Sequence, residues 1–270
     1  MKAMWVSYSS SRRSTRWRQL GMALALATMP VLAVQAQEWQ RVEPVREWLG
    51  GAQPTERKID IDLPLVVEDG SSVNLGITIA AEVGDPIRSM AIFAPANPTP
   101  EVASFELAPQ ANPVRLATRV RLSESQSVIV VARTESGRSL VAERAVRVTT
   151  SGCLAGAGAG AGAQEMQSRV RAPQRFKAGE SGEILTLVSH PMHTGLAQDA
   201  NGQTPPLRIV ESFQASLDGE PVLTARFYRS LAANPYLRFH VAPEQGGEMT
   251  LSWTEMGGRQ TTESLTLNVS

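Results

Sequence analysis

The chain has 270 residues, with 26 basic and 26 acidic side chains, 42% hydrophobic residues and 5% aromatic residues. That length allows two ordinary domains and the apolar content allows cores, while the charge balance argues against nucleic acid as a partner, which would want a basic face. Residues 1–36 hold five of the basic residues and no acid, which leaves 21 bases against 26 acids over 37–270.

Residues 1–36 read as a signal peptide. A basic segment (Arg12, Arg13, Arg16, Arg18) precedes an apolar run from Leu20 to Val34, and Val34-Gln35-Ala36 is a small-residue cleavage site. The run is shorter than the roughly 20 residues a spanning helix needs, so export to the periplasm is expected rather than a membrane anchor. Ser11-Arg12-Arg13 leaves both the Sec and the twin-arginine routes open.

Trp39, Val42, Trp48 and Leu49 then recur at helical spacing, with Pro44 tolerable only near a first turn and Gly50-Gly51 as a stop. A short amphipathic helix is predicted. The period next changes to two. Ile59, Ile61 and Leu63 alternate with Asp60 and Asp62. Val73, Leu75, Ile77 and Ile79 alternate with small or polar residues. Val114, Leu116, Thr118, Val120 and Leu122 face away from Arg115, Arg119 and Arg121. Val128 to Val131 is a continuous apolar run, as in a central strand, and Ala145 to Val148 is a last strand leading straight to Cys153. Turn residues at Glu68-Asp69-Gly70, Gly84-Asp85-Pro86, Asn97-Pro98 and Glu135-Ser136-Gly137 separate these runs, the pattern of a β-sandwich.

Ala155 to Ala163 is an alternating Ala/Gly run with nothing to bury, which reads as a flexible linker able to span roughly 20 Å as a coil. Strand patterns resume at Val170. They include Ile184 to Val188, then Leu207, Ile209, Phe213, Ala215 and Leu217 with Glu211 out of phase, and Val222 to Tyr228. Tyr236 to Val241, Met249 to Thr254 and Leu265 to Val269 complete the series. The fold class is all-β: two immunoglobulin-like β-sandwiches joined by a flexible Ala/Gly linker, after a short N-terminal helix. The expected boundaries are 1–36 for the leader, 37–151 for the first sandwich, 152–168 for the linker and 169–270 for the second.

Cys153 is the only cysteine. It has small neighbours, cannot form an intramolecular disulfide, and stands where the first sandwich gives way to the linker. A lone thiol in an exported protein calls for a reason, and presentation of that thiol to other proteins supplies one. Gly152 lets the backbone beside the sulfur bend. Arg144 and Arg147 either favour the thiolate or form the solvated face of a strand. A cysteine hydrolase would need a positioned base, and the candidates His190, His193 and His240 lie far away in sequence, so no catalytic residue is assigned. His190-Pro191-Met192-His193 offers two ligands and no third nearby, so no metal and no cofactor is expected.

The two halves resemble a known pair. Met90 to Ala94, Asn97-Pro98 with Glu101-Val102-Ala103, Thr118 to Leu122 and the Val146–Cys153 segment resemble the SoxY subunit of the thiosulfate-oxidising Sox system. Ser189 to Met192 with Thr194-Gly195, Asn234 to Leu237 and the strand around Trp253 resemble its SoxZ partner. The resemblance implies a periplasmic carrier, not an enzyme, whose Cys153 covalently holds sulfur-oxidation intermediates and whose Gly152 belongs to the arm. Its partners would be Sox-type enzymes and c-type cytochromes, with no nucleic acid and no membrane. Two departures stand out. Ser151 replaces a glycine of the family arm and Leu154-Ala155 follow the cysteine, so the arm is tethered at both ends. The halves are also fused, as in SoxYZ-like proteins associated with quinoprotein (pyrroloquinoline quinone) dehydrogenases, which implies an alternative role as a binding or adaptor protein for such a dehydrogenase.

Overall fold

The computed structural model describes residues 37–55, 59–80, 82–150, 166–198 and 201–270. The expected leader, the Gly152–Cys153 pair and the Ala/Gly run lie outside the described residues.

The chain opens with a turn of 3-10 helix, Glu38–Arg41, and helix α1, Glu43–Leu49. Pro44 occupies the first turn, where its missing N–H removes no helical bond. Gly50 ends the helix at φ 62° and donates its N–H to the carbonyls of Arg46 and Glu47.

The N-terminal half then forms β1 (Ile59–Asp62), β2 (Val66–Asp69), β3 (Val73–Ile79), β4 (Ile87–Phe93), β5 (Glu101–Leu107), β6 (Val114–Val120), β7 (Gln126–Thr134) and β8 (Ser139–Thr150). The C-terminal half forms β9 (Gln167–Arg171), β10 (Gly182–Ser189), β11 (Val210–Leu217), β12 (Glu220–Phe227), β13 (Tyr236–Val241), β14 (Gly247–Glu255) and β15 (Gln260–Leu267).

The two sandwich halves are joined by more than the expected linker, because both sheets run through both of them. A six-stranded sheet has the order β1-β3-β6-β13-β10-β9, and a nine-stranded sheet the order β15-β14-β11-β12-β5-β4-β7-β8-β2. The halves meet where β5 pairs with β12, from Ala103↔Phe227 to Leu107↔Leu223, and where β6 pairs with β13 at Leu116↔Phe239 and Ala117↔Arg238. Strand edges that would otherwise stand open are thereby closed. One apolar core fills the space between the sheets from Ile59 to Leu267, and Phe105 meets Phe227 edge-on across the junction, with ring centroids 6.4 Å apart.

The continuous run Val128–Val131 follows from burial on two sides. Val128 and Val130 face that core. Ile129 and Val131 face outward, but Trp39, Val45 and Leu49 of the N-terminal helical segment cover them together with Ala91, Phe93 and Val141. Strands buried on both faces lose the alternation that a solvated face imposes.

The sequence reading assigns no strand to the central β4 and β5, which show no clean alternation, and three further elements differ from it. Glu211 is out of phase because β11 carries a bulge between Val210 and Ser212, so that Val210 and Phe213 are both buried while Glu211 stays exposed. The last strand begins at Gln260, not Leu265. It is an edge strand whose Gln260–Ser264 segment is polar on both faces, and it therefore shows no apolar period. Strand β2 has no apolar alternation either; Val66 is 57% exposed on the other edge of the same sheet.

Candidate functional site

The described chain stops at Thr150 and resumes at Met166, and both points lie at one end of the double sandwich. β8 outruns its antiparallel neighbour there, since Val146 already pairs with Gln126, the first residue of β7. Its last residues are held instead by β2, in parallel, through Val66↔Arg147, Val67↔Val148 and Asp69↔Thr150. On the other side the Ser125 hydroxyl accepts the Val148 N–H at 3.0 Å. The turn behind this clamp is tight. Leu122 donates its N–H to the Gly70 carbonyl at 2.8 Å, and a Cβ on Gly70 would lie 2.0 Å from the Leu122 oxygen, so only glycine fits. β8 is thus fixed until it hands over to the segment that carries Cys153.

The return is anchored too. Met166 is buried, and Gln167 pairs with Ser189 at the end of β10. His190 follows immediately and is 2% exposed. Its Nδ1 accepts the Met192 N–H at 3.0 Å, which leaves Nε2 as the protonated nitrogen, donating to Glu255 Oε1 at 3.1 Å. Burial pushes the His190 imidazole below its ordinary value of 6.5, against the pull of Glu255, so the ring is neutral at neutral pH. Burial pushes the Glu255 carboxyl up, but hydrogen bonds from Arg208, His190 and Arg259 more than reverse this and hold it at about 2. Met192 is locked at φ 50°: its sulfur accepts the Val210 N–H at 3.2 Å and its carbonyl accepts Arg121 at 3.0 Å.

Arg121 departs from the sequence reading, in which it alternates with the apolar residues of β6 on the same side as Arg115 and Arg119. The strand ends at Val120, and Arg121 turns inward instead, donating its N–H to the Ser230 carbonyl at 2.7 Å. The residue is 2% exposed, and its guanidinium reaches the carbonyls of Met192 and Arg229 in the other half. Burial lowers it to about 10, so it stays charged. Beside it Asn97 is satisfied on both sides of its amide. It donates to the Arg121 carbonyl and to Ser230 Oγ, and accepts from the Ser123 N–H and from Gln126 Nε2.

The remaining sequence candidates fall elsewhere. Arg144 and Arg147 are exposed on β8. His193 makes a backbone bridge with Arg208, and its carbonyl accepts the Arg208 N–H at 2.9 Å. His240 pairs with Glu183, at the far end of β10 from His190, and its Nδ1 lies 3.4 Å from the Arg115 carbonyl. The three histidines are not brought together. Among the described residues no group of three or more His, Cys, Asp or Glu side chains is placed to hold a metal, and no helix is long and apolar enough to cross a membrane.

Comparison with family models decides what kind of body this is. Residues 45–153 match the model of sulfur oxidation protein SoxY, and residues 170–266 match that of sulfur oxidation protein SoxZ. The chain belongs to the SoxY and SoxZ families, fused in tandem. No curated protein matches it. Of the solved structures that resemble it, a candidate superoxide reductase from Thermotoga maritima is 17% identical with a TM-score of 0.30, over 35% of this chain and 87% of that one. Murine CEACAM1b is 11% identical with a TM-score of 0.26, over 79% of this chain and 100% of that one.

The SoxY match ends on Cys153 itself, and the unmatched stretch before the SoxZ match holds the Ala/Gly run. The residues that carried the resemblance join the two halves and fill their core. Asn97 ties the SoxY half to Ser230 of the SoxZ half. Asn234 exchanges two hydrogen bonds with His190, its side-chain oxygen accepting the His190 N–H and its own N–H donating to the His190 carbonyl. Trp253 fills the SoxZ core against Phe213, at 4.6 Å between ring centroids, and donates to Thr186 Oγ1 at 3.0 Å. The inward role of Arg121, and Ser125 and Glu255 altogether, escaped the sequence reading because charged and hydroxyl residues at strand ends look like surface until the loops that cover them are placed.

Proposed function

We propose that the protein is a periplasmic carrier that holds sulfur-oxidation intermediates on Cys153 and presents them to partner enzymes, itself doing no catalysis. The observation that carries the reading is that the SoxY match ends on the single cysteine of the chain, between two fixed strands. A carrier needs a thiol held on a rigid body and reachable by other proteins, and β8 and β9 supply the two anchors. The chemistry balances without an acid–base pair in the carrier. Joining thiosulfate to the thiol forms a Cys–S–S–SO3⁻ adduct and releases one proton and two electrons, which a c-type cytochrome of the partner enzyme takes up. Hydrolysis of that adduct by a second partner releases sulfate and a proton and leaves a persulfide. Gly152 lets the chain bend as Cys153 enters a partner's cleft, and because the chain continues through Leu154 it enters as a loop rather than a free tail.

The fusion of both halves in one chain favours a second reading, in which the protein is a non-catalytic adaptor of a periplasmic quinoprotein dehydrogenase and Cys153 serves attachment. One experiment separates the two: the intact mass of protein purified from its native host without reductant, with peptide mapping of Cys153. A sulfur or thiosulfonate addition on Cys153, removed by a thiol, is the result the carrier reading expects. A bare thiol or a simple disulfide dimer under all growth conditions would contradict it and favour the adaptor.

A further inference from the structure

The outer face of the six-stranded sheet carries a groove of about 730 Å³ that crosses from the SoxY half to the SoxZ half. Two cross-strand rows build it. In one, Arg171 of β9 pairs with Leu185, Leu185 with Arg238, Arg238 with Ala117, and Ala117 with Gly76. In the other, Arg169 pairs with Leu187 and Leu187 with Tyr236, and the Arg119 guanidinium lies over the Tyr236 ring at 4.7 Å from its centroid. Small residues at the centre of the first row, Ala117 and Gly76, make the surface concave, and the leucines and the tyrosine give it an apolar floor.

The charge of this groove runs against that of the chain. Residues 37–270 carry 21 bases and 26 acids, yet four arginines line the groove against two carboxylates, Asp62 and Glu183. Arg238 has Glu183 at 3.8 Å. Arg119, Arg169 and Arg171 have no carboxylate within ion-pair distance among the described residues. The arginines do not converge on one point. With strands spaced about 4.8 Å apart, Arg119 and Arg169 stand about 14 Å apart, and Arg171 and Arg238 about 10 Å. A small oxoanion would call for donors gathered round it, whereas guanidiniums spread round an apolar floor suit carboxylates spaced along a polypeptide.

We propose that this groove is a docking surface for an acidic, partly apolar segment of a partner protein. Arg119, Arg169, Arg171 and Arg238 pair with its carboxylates, and Leu185, Leu187 and Tyr236 receive its apolar side chains. The proposal does not rest on the carrier reading, but the surface is well placed for it. Arg169 follows closely on Met166, where the chain returns from Cys153, so a partner seated here is held beside the root of the arm.

Fluorescence anisotropy tests it with a labelled peptide of glutamate, leucine and glycine, and a control peptide with lysine for every glutamate. The acidic peptide is expected to bind the full chain, with an affinity that falls as salt rises, and the lysine peptide not to bind. Arg169→Glu with Arg171→Glu should weaken binding at least tenfold, Arg238→Gln severalfold, and Arg226→Glu on the other sheet not at all. All are exposed positions, and unchanged melting temperatures establish that the variants fold. Absence of binding by the acidic peptide, equal binding of both peptides, or binding unaffected by the Arg169/Arg171 change would overturn the proposal. So would sodium sulfate or thiosulfate binding with the same arginine dependence while the acidic peptide does not, which would make the groove a small-anion site.

Discussion

The SoxY half and the SoxZ half share both sheets and one core, yet reach burial by different means. The SoxY half is aliphatic. Its central strands β4 and β7 are buried on both faces, by the core on one side and by the N-terminal helical segment on the other. Among the described residues the SoxZ half has no such cover. Its β14 and β15 alternate between buried or half-buried and exposed positions, and its core is built on a cluster of aromatic rings, Phe213, Phe227, Phe239 and Trp253. A sheet can therefore be stabilised by adding a layer or by concentrating large side chains in the one layer it has.

The largest test of that comparison is Trp253→Ala. Trp253 is fully buried, stacks on Phe227 at 5.6 Å and bonds Thr186. Its removal should cost about 4 kcal/mol. Because the core is continuous, hydrogen exchange should show amides of β7 losing protection together with those of β11; a loss confined to the SoxZ half would break the claim of one body.

Glu255→Gln should cost about 3 kcal/mol at neutral pH. The Glu255 carboxyl is held at about 2 in the folded chain against an ordinary 4.5, so the unfolded chain takes up a proton first as pH falls. Its contribution is complete above about pH 5 and lost progressively toward pH 2. His190, pushed below 6.5, adds a loss that starts as pH falls through about 6.5. Thermal melting across pH should show wild type losing stability on acidification below about pH 5 more steeply than the variant. Parallel curves would contradict the assignment.

Arg121→Met removes the one donor that the carbonyls of Met192 and Arg229 share across the junction, at about 2 kcal/mol in chemical denaturation. The smallest effect is expected on the SoxY side, where Trp48→Ala removes a half-buried ring under the Arg133 guanidinium, 4.8 Å from its centroid, for about 1 kcal/mol.

Period-two alternation made most of the core strands legible, and the helix was legible from Pro44, Trp48 and Gly50. Alternation could not reveal the doubly buried β4, nor β5, nor both edges of the nine-stranded sheet. Residues Val66–Asp69 and Gln260–Ser264 have no buried face to impose a pattern, and they become strands through backbone pairing with β8 and β14. The site divided in the same way. Cys153 and Gly152 stood out by composition and resemblance, and they lie outside the described residues. The contacts of Arg121, Ser125 and Glu255 depend on loops that only the assembled sandwich brings together. The groove was hidden for a further reason: its arginines come from β6, β9 and β13, which are distant in sequence and share one sheet only in the assembled fold.

The most direct test of the account is to place a protease site within residues 155–163, cleave it, and follow the product by size-exclusion chromatography and thermal unfolding. The shared sheets predict that the cut halves elute together at the size of the intact protein and melt in one transition. Separation of the halves, or two independent transitions, would contradict it.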